Sequence, residues 1–214
     1  MNRLHALSPI LRRAARAGRA LADNASATAA VETALILPVA LTMFALLIYG
    51  AEGFAVQRKV TLTARTVTDL VTQAKPTQMS SGASIVSHAT IDTEVSYAAC
   101  VMAPYSSCAS PSSNLTMVVS EVLVNADQTD ANVVWSEPYN GAVARAYNST
   151  VTLPIGLGTG QAGNYLVLGE VSYNYTPLNF FISASALTLQ DAIYLTPRQS
   201  TSITCTDCAS APPS

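Results

Sequence analysis

The chain has 214 residues, of which 11% are charged and 50% hydrophobic. That length leaves room for one membrane helix and one domain of about 140 residues, large enough for a real core. A net charge of −2 with so few charged residues suits a membrane-tethered protein better than a cytosolic enzyme, and an acidic C-terminal part leaves no footprint for nucleic acid.

Residues 1–26 carry Arg3, Arg12, Arg13, Arg16 and Arg19 against Asp23 alone, in a short basic amphipathic segment, LRRAARAGRALAD. An arginine-rich leader before an apolar run stays in the cytoplasm and sends the C-terminal domain outside; the same segment also reads as a lipid-surface helix. Asn24 and Ser26 are candidate caps for the next helix. From Thr33 to Ala51 there is no formal charge. As a helix those residues span roughly 28 Å, about the hydrocarbon thickness of a bilayer. A cleaved secretory signal is the competing reading, but the run is longer than such signals use and no good small-x-small site ends it. Only Pro38, Gly50 and Gly53 interrupt 28–75, which therefore reads as one long helix with a kink at Pro38. Past the span, Val56, Val60, Val67 and Val71 recur at helical spacing, with Arg58, Lys59, Arg65 and Asp69 mostly elsewhere.

Lys75-Pro76 ends that helix, and Thr77–Ala83 reads as a polar linker. Ala83–Met102 roughly follows helical spacing and is expected to be a helix, and Ala103–Asn114 a loop. From Leu115 the texture is β. Thr116–Asn125 and Asn132–Glu137 read as strands joined by a polar turn, and Ala142–Leu153 as a third strand. Asn164–Tyr175 alternates Tyr165, Val167, Val171, Tyr173 and Tyr175 on one face and gives the clearest strand signal. Leu187–Leu195 reads as another strand or edge, and Pro197–Ser214 as a small polar tail. The expected fold class is α+β, a long N-terminal helix followed by a domain with an antiparallel sheet.

Few motifs carry chemistry. Gly158–Gly163 (GTGQAG) spells G-x-G-x-x-G, but a strand rather than a helix comes after it, so a hairpin loop replaces a dinucleotide site. Cys100, Cys108, Cys205 and Cys208 all lie in the expected outer domain, where an even count favours two disulfides. Four cysteines allow three pairings and the sequence alone does not choose, the local scheme Cys100–Cys108 with Cys205–Cys208 being the simplest. Cys205 and Cys208, spaced C-x-x-C, sit in a tail rather than at a strand-to-helix junction, which disfavours redox catalysis; a zinc site suits an oxidising compartment poorly. The histidines are His5 and His88, with no nucleophile pattern near either, and Glu170 and Asp191 make no convincing carboxylate pair. No catalytic residue, metal site or cofactor is expected. Four N-x-S/T sequons, at Asn24, Asn114, Asn148 and Asn174, have meaning only in a eukaryotic secretory route. Glu32 stands out, because a carboxylate at the edge of an apolar span is costly unless it stays near water or finds a cation.

Ala27–Pro38 (ATAAVETALILP) resembles the opening of the TadE/TadG-like family, pilus-assembly proteins of the Flp/Tad system. Glu32 falls at the family's glutamate, Pro38 at its proline, and Glu52-Gly53 near its acidic-Gly pair. Val171–Leu178 (VSYNYTPL), and Pro197-Arg198 followed by Cys205, are also similar to the family's tail. Ala27 stands where a prepilin-type site usually has glycine, and Thr33 where an aromatic is common. The resemblance implies a single-pass inner-membrane protein with a periplasmic α+β domain, acting as a minor pilin (pseudopilin) or pilus-assembly component. It implies other Tad subunits, inner-membrane platform proteins, membrane lipid and a prepilin peptidase as partners. Cleavage between Ala27 and Thr28 would make Glu32 the fifth mature residue, placed to neutralise the new Thr28 amine of a neighbouring subunit and set helix register. A membrane-anchored periplasmic binding or adhesin module outside any pilus is the alternative.

Overall fold

The computed structural model describes residues 25–74, 78–80, 83–108, 110–176 and 186–211. The arginine leader with His5, Asp23 and Asn24, the stop signal at Lys75-Pro76, and Leu178 of the VSYNYTPL segment lie outside those residues. The chain divides into two compact units, Met1–Ala51 and Glu52–Ser214.

Helix α1 runs Ala25–Thr72 with Pro38 inside it, so Ser26 lies within the helix rather than ahead of it. In the first unit its side chains from Thr28 on are exposed almost throughout, including Leu35, Leu47 and Phe44. Two hydroxyls there turn back on the helix: Thr33 Oγ1 donates to Ala29 O at 2.7 Å and Thr42 Oγ1 to Val39 O at 2.8 Å. Such bonds satisfy a polar side chain without water.

In the second unit the helix becomes a core element. Val56, Val60, Ala64, Val67 and Val71 are fully buried at the spacing the sequence predicts. The buried hydroxyls of Thr63 and Thr68 bond the carbonyls of Lys59 and Ala64 one turn back. This stripe shares one apolar cluster with residues of a five-stranded antiparallel sheet. The strands are β3 (Leu115–Val124), β4 (Asp130–Tyr139), β5 (Thr150–Thr152), β6 (Tyr165–Tyr175) and β7 (Leu187–Leu195), in the spatial order β5-β4-β3-β6-β7. From β3 and β6, Leu115, Met117, Val119, Val167, Val171, Tyr173 and Tyr175 face this cluster. The close approach needs Gly169: a Cβ there would collide with Thr68 Oγ1 and lie 3.1 Å from Val67 Cγ1.

The opposite face of the sheet carries a second cluster, with Val122, Val124, Ala131, Val133, Leu166 and Leu168. A β-bulge reconciles the two faces. Register passes from Glu121↔Trp135 to Val122↔Val133, leaving Val134 as the extra residue in β4. Val133 and Trp135 share odd parity, yet Val133 joins the second cluster and Trp135 the first.

A smaller sheet completes the unit from β1 (Gln78–Ser80), β2 (Ala83–Val86) and β8 (Ser202–Cys205), in the order β1-β2-β8. Five expectations are corrected here. The linker expected over 77–83 contains β1, paired antiparallel with β2. The helix expected over 83–102 is β2, then α2 (His88–Ala99) capped by Ser87, then a 3-10 turn (Cys100–Met102). The polar tail carries β8, parallel to β2 from Ala83↔Ser202 to Val86↔Cys205. The strand expected over 142–153 shrinks to Thr150–Thr152. Ahead of it Arg145 N–H donates to a serine hydroxyl, Ser136 Oγ, and Asn148 takes a φ of 59°. Gly158–Gly163 lies in the link from β5 to β6, which are not neighbours, so it is a crossover rather than a hairpin loop.

Candidate functional site

The residues singled out from the sequence fall into two groups. Ala27, Thr28, Glu32 and Pro38 occupy the first unit's stretch of α1, whose apolar window has a mean hydropathy of 2.2 and none of its residues buried. That helix is long and apolar enough to cross a membrane. Glu32 is exposed and has no ion-pair partner among the described residues. The cysteines fall in the second unit as two local pairs, Cys100–Cys108 and Cys205–Cys208, the simplest of the three pairings the sequence allows. Cys100 ends α2 and Cys108 lies in the following loop, while the second pair closes a turn directly after β8. Both C-x-x-C sulfurs are thus engaged with each other, and the described residues contain no group of three or more His, Cys, Asp or Glu placed to hold a metal.

Around the C-terminal turn a polar network gathers that sequence reasoning missed. Glu121 is 1% exposed in the middle of β3. Its Oε1 accepts Ile203 N–H at 2.6 Å and its Oε2 accepts Trp135 Nε1–H at 3.1 Å. Trp135 Nε1 also reaches Ile203 O at 2.6 Å, so the two side chains satisfy both backbone groups of one β8 residue. Burial pushes the Glu121 carboxyl up from 4.5 to about 8, against the lowering effect of the Ile203 and Trp135 bonds. Nearby, Glu137 Oε2 accepts Ala209 N–H at 2.8 Å and its Oε1 lies 3.1 Å from His88 Nδ1. Asp207 Oδ1 accepts His88 N–H at 2.9 Å, and Ser210 bridges to Ser136. Buried Glu121 with Trp135, Glu137 and Ser136 therefore clamp the tail, with an exposed contact from Asp207 to His88. The single tryptophan and a lone acid inside the apolar run TMVVSEVLVN were the available signals.

On the helix-distal face Arg145 and Glu170 form a two-pronged ion pair, with Nε–Oε2 at 2.6 Å and Nη2–Oε1 at 2.7 Å. The hydrogen bonds to Glu170 raise the Arg145 guanidinium further. Glu170 is thus spoken for, and Asp191 pairs in register with Val171 rather than with Glu170, so no carboxylate dyad forms. Thr116, Val118, Ser172 and Gln190 join the ion pair around an open concavity of about 580 Å³. The geometry offers packing, clamping and surface contact, and none of these groups pairs a nucleophile with a base.

No family model, no curated protein and no solved structure matches this chain.

Proposed function

We propose that the chain is a minor pilin (pseudopilin) or assembly component of a Tad-type pilus. In this reading it is a single-pass inner-membrane protein whose disulfide-bonded unit lies in the periplasm. It acts by helix packing and surface contacts and is not an enzyme. One observation carries the reading: a single continuous helix, bare and charge-free over Thr33–Ala51 with Glu32 at its head, continues past Glu52 as the central core element of an antiparallel sheet. A soluble fold would not leave Leu35, Phe44 and Leu47 each more than 60% exposed on one helix. Bilayer lipid, or the helices of other subunits, supplies the missing contacts. Glu32 then serves as the partner of a cation on a neighbouring subunit, the new amine of Thr28 being the candidate if a prepilin peptidase cuts after Ala27.

The test is the intact mass of the protein from its native membrane, with and without that peptidase. Peptidase-dependent loss of residues 1–27 is the expected result. A retained leader would leave an uncleaved anchor with no pairing role for Glu32, and loss of about the first 50 residues would make it a secreted domain. The alternative, an anchored periplasmic binding or adhesin module, draws on the concavity beside Arg145 and Glu170. It predicts that pili persist unchanged when the gene is deleted.

A further inference from the structure

The second unit has one end at which three elements meet. A Cβ built on Gly53 would lie 3.9 Å from Tyr175 Cε1, which puts the first turn of this unit's helix at the end of β6. Tyr175 pairs in register with Leu187, the first residue of β7, and Gln57 Nε2 reaches Gln190 O at 3.5 Å. At this end Phe54 is 79% exposed and Leu187 53% exposed. Arg58, one helical turn after Phe54 and on the same face, is exposed and has no ion-pair partner among the described residues. Residues 177–185, between β6 and β7 in sequence and outside the described residues, read PLNFFISAS: two phenylalanines, a leucine, an isoleucine and no charge. Glu52 follows Ala51, the last residue of the charge-free run, by one peptide bond.

An exposed aromatic with an arginine one turn further from the apolar run is the pairing that suits a bilayer interface. The ring enters the boundary between headgroups and acyl chains, and the guanidinium on its long stem reaches phosphate. We propose that this end of the unit, through Phe54, Arg58 and Leu187, is a lipid-contacting surface that rests on the bilayer interface. The proposal rests on Thr33–Ala51 being a membrane span, and it adds that the folded unit is seated on the lipid rather than held clear of it. The occupant is phospholipid. A protein partner would not require Phe54 and Arg58 to follow the charge-free run within two helical turns in the sequence.

The test uses the full chain in phosphatidylethanolamine–phosphatidylglycerol vesicles, with phosphatidylcholine brominated either near the headgroup end or near the terminal end of its acyl chains as a fluorescence quencher, the deeper bromine reading Phe44→Trp. Single reporters are Phe54→Trp, Leu187→Trp, Phe44→Trp within the span, and Ile155→Trp, which lines a groove with Leu195 at the other end of β7. The native Trp135 is fully buried and supplies a constant background. Phe44→Trp, Phe54→Trp and Leu187→Trp are expected to lose several times more signal than Ile155→Trp. Quenching of Phe44→Trp alone would overturn the lipid surface and leave the span standing. No quenching at Phe44→Trp would remove both, and equal quenching at all four positions would overturn the proposal as non-specific adsorption.

Discussion

At the scale of single residues, Glu121 and Gly169 make the sharpest predictions. Glu121 has a folded pKa near 8 against an ordinary value of 4.5, so between those limits the folded state binds more protons than the unfolded one. Its contribution to stability is therefore fully present below pH 4.5 and is lost as pH rises through 8, at up to about 1.4 kcal/mol per unit. In detergent solution the urea midpoint should fall from pH 5 to pH 9. Glu121→Gln, which keeps an acceptor for Ile203 N–H and cannot ionise, should flatten that slope; an unchanged slope would remove Glu121 as its source. Gly169→Ala brings a methyl group onto Thr68 Oγ1, which is already held by Ala64 O. The expected loss is about 1–3 kcal/mol, as for other overpacked contacts. Adding Thr68→Ala should recover part of it, because the clash belongs to the pair. A double variant no more stable than Gly169→Ala alone would show that the strand cannot move.

At the scale of elements, the tail is structural although its composition looks like a linker. Removing residues 202–214 would strand Glu121 Oε1 and leave Trp135 Nε1 without Ile203 O. Buried polar groups that lose a partner cost about 1–3 kcal/mol each. The truncated chain should show a clearly lower urea midpoint, and a midpoint within error of the full chain would mean the clamp contributes nothing. The pairing of β8 explains why it was illegible. Ser202–Cys205 alternates buried Ile203 and Cys205 with Ser202 and Thr204, but it is only four residues long and parallel to a strand over a hundred positions earlier, so the run is too short to mark it. The same holds for β1 and β2, whose pairing depends on a neighbour outside any short window. By contrast the valine stripe of α1 and strands β3, β4 and β6 were legible, because each is a long run rich in β-branched and apolar residues, and β3 and β6 bury residues on both faces. The bulge at Val134 was not, since it is read only from cross-strand register. Of the candidate site, Glu32 and the cysteines were visible as residue types out of place. Arg145–Glu170 and the Glu121–Trp135 network were not, because their members are 25 and 14 positions apart and meet only across the sheet.

At the scale of the whole molecule, the proposed orientation across a membrane ties the parts together. Five arginines precede the apolar run, while Arg58, Lys59, Arg65 and Lys75 come after it, so charge counting alone gives a modest bias toward a cytoplasmic leader. The two disulfides give an independent physical reason. Cys100–Cys108 and Cys205–Cys208 persist in an oxidising compartment and are kept reduced in a cytosol poised by glutathione. Both arguments favour the periplasmic side for Glu52–Ser214. Alkaline phosphatase, which needs export for activity, fused after Ser214 should be active in intact cells, and green fluorescent protein at the same place should stay dark. Replacing Arg12, Arg13, Arg16 and Arg19 by asparagine removes the leader's bias, and phosphatase activity should then fall as a fraction of chains inserts the other way. An inactive phosphatase fusion with a bright fluorescent one would put the disulfides in the cytosol. The periplasmic unit, and with it the pilus reading, would then be wrong.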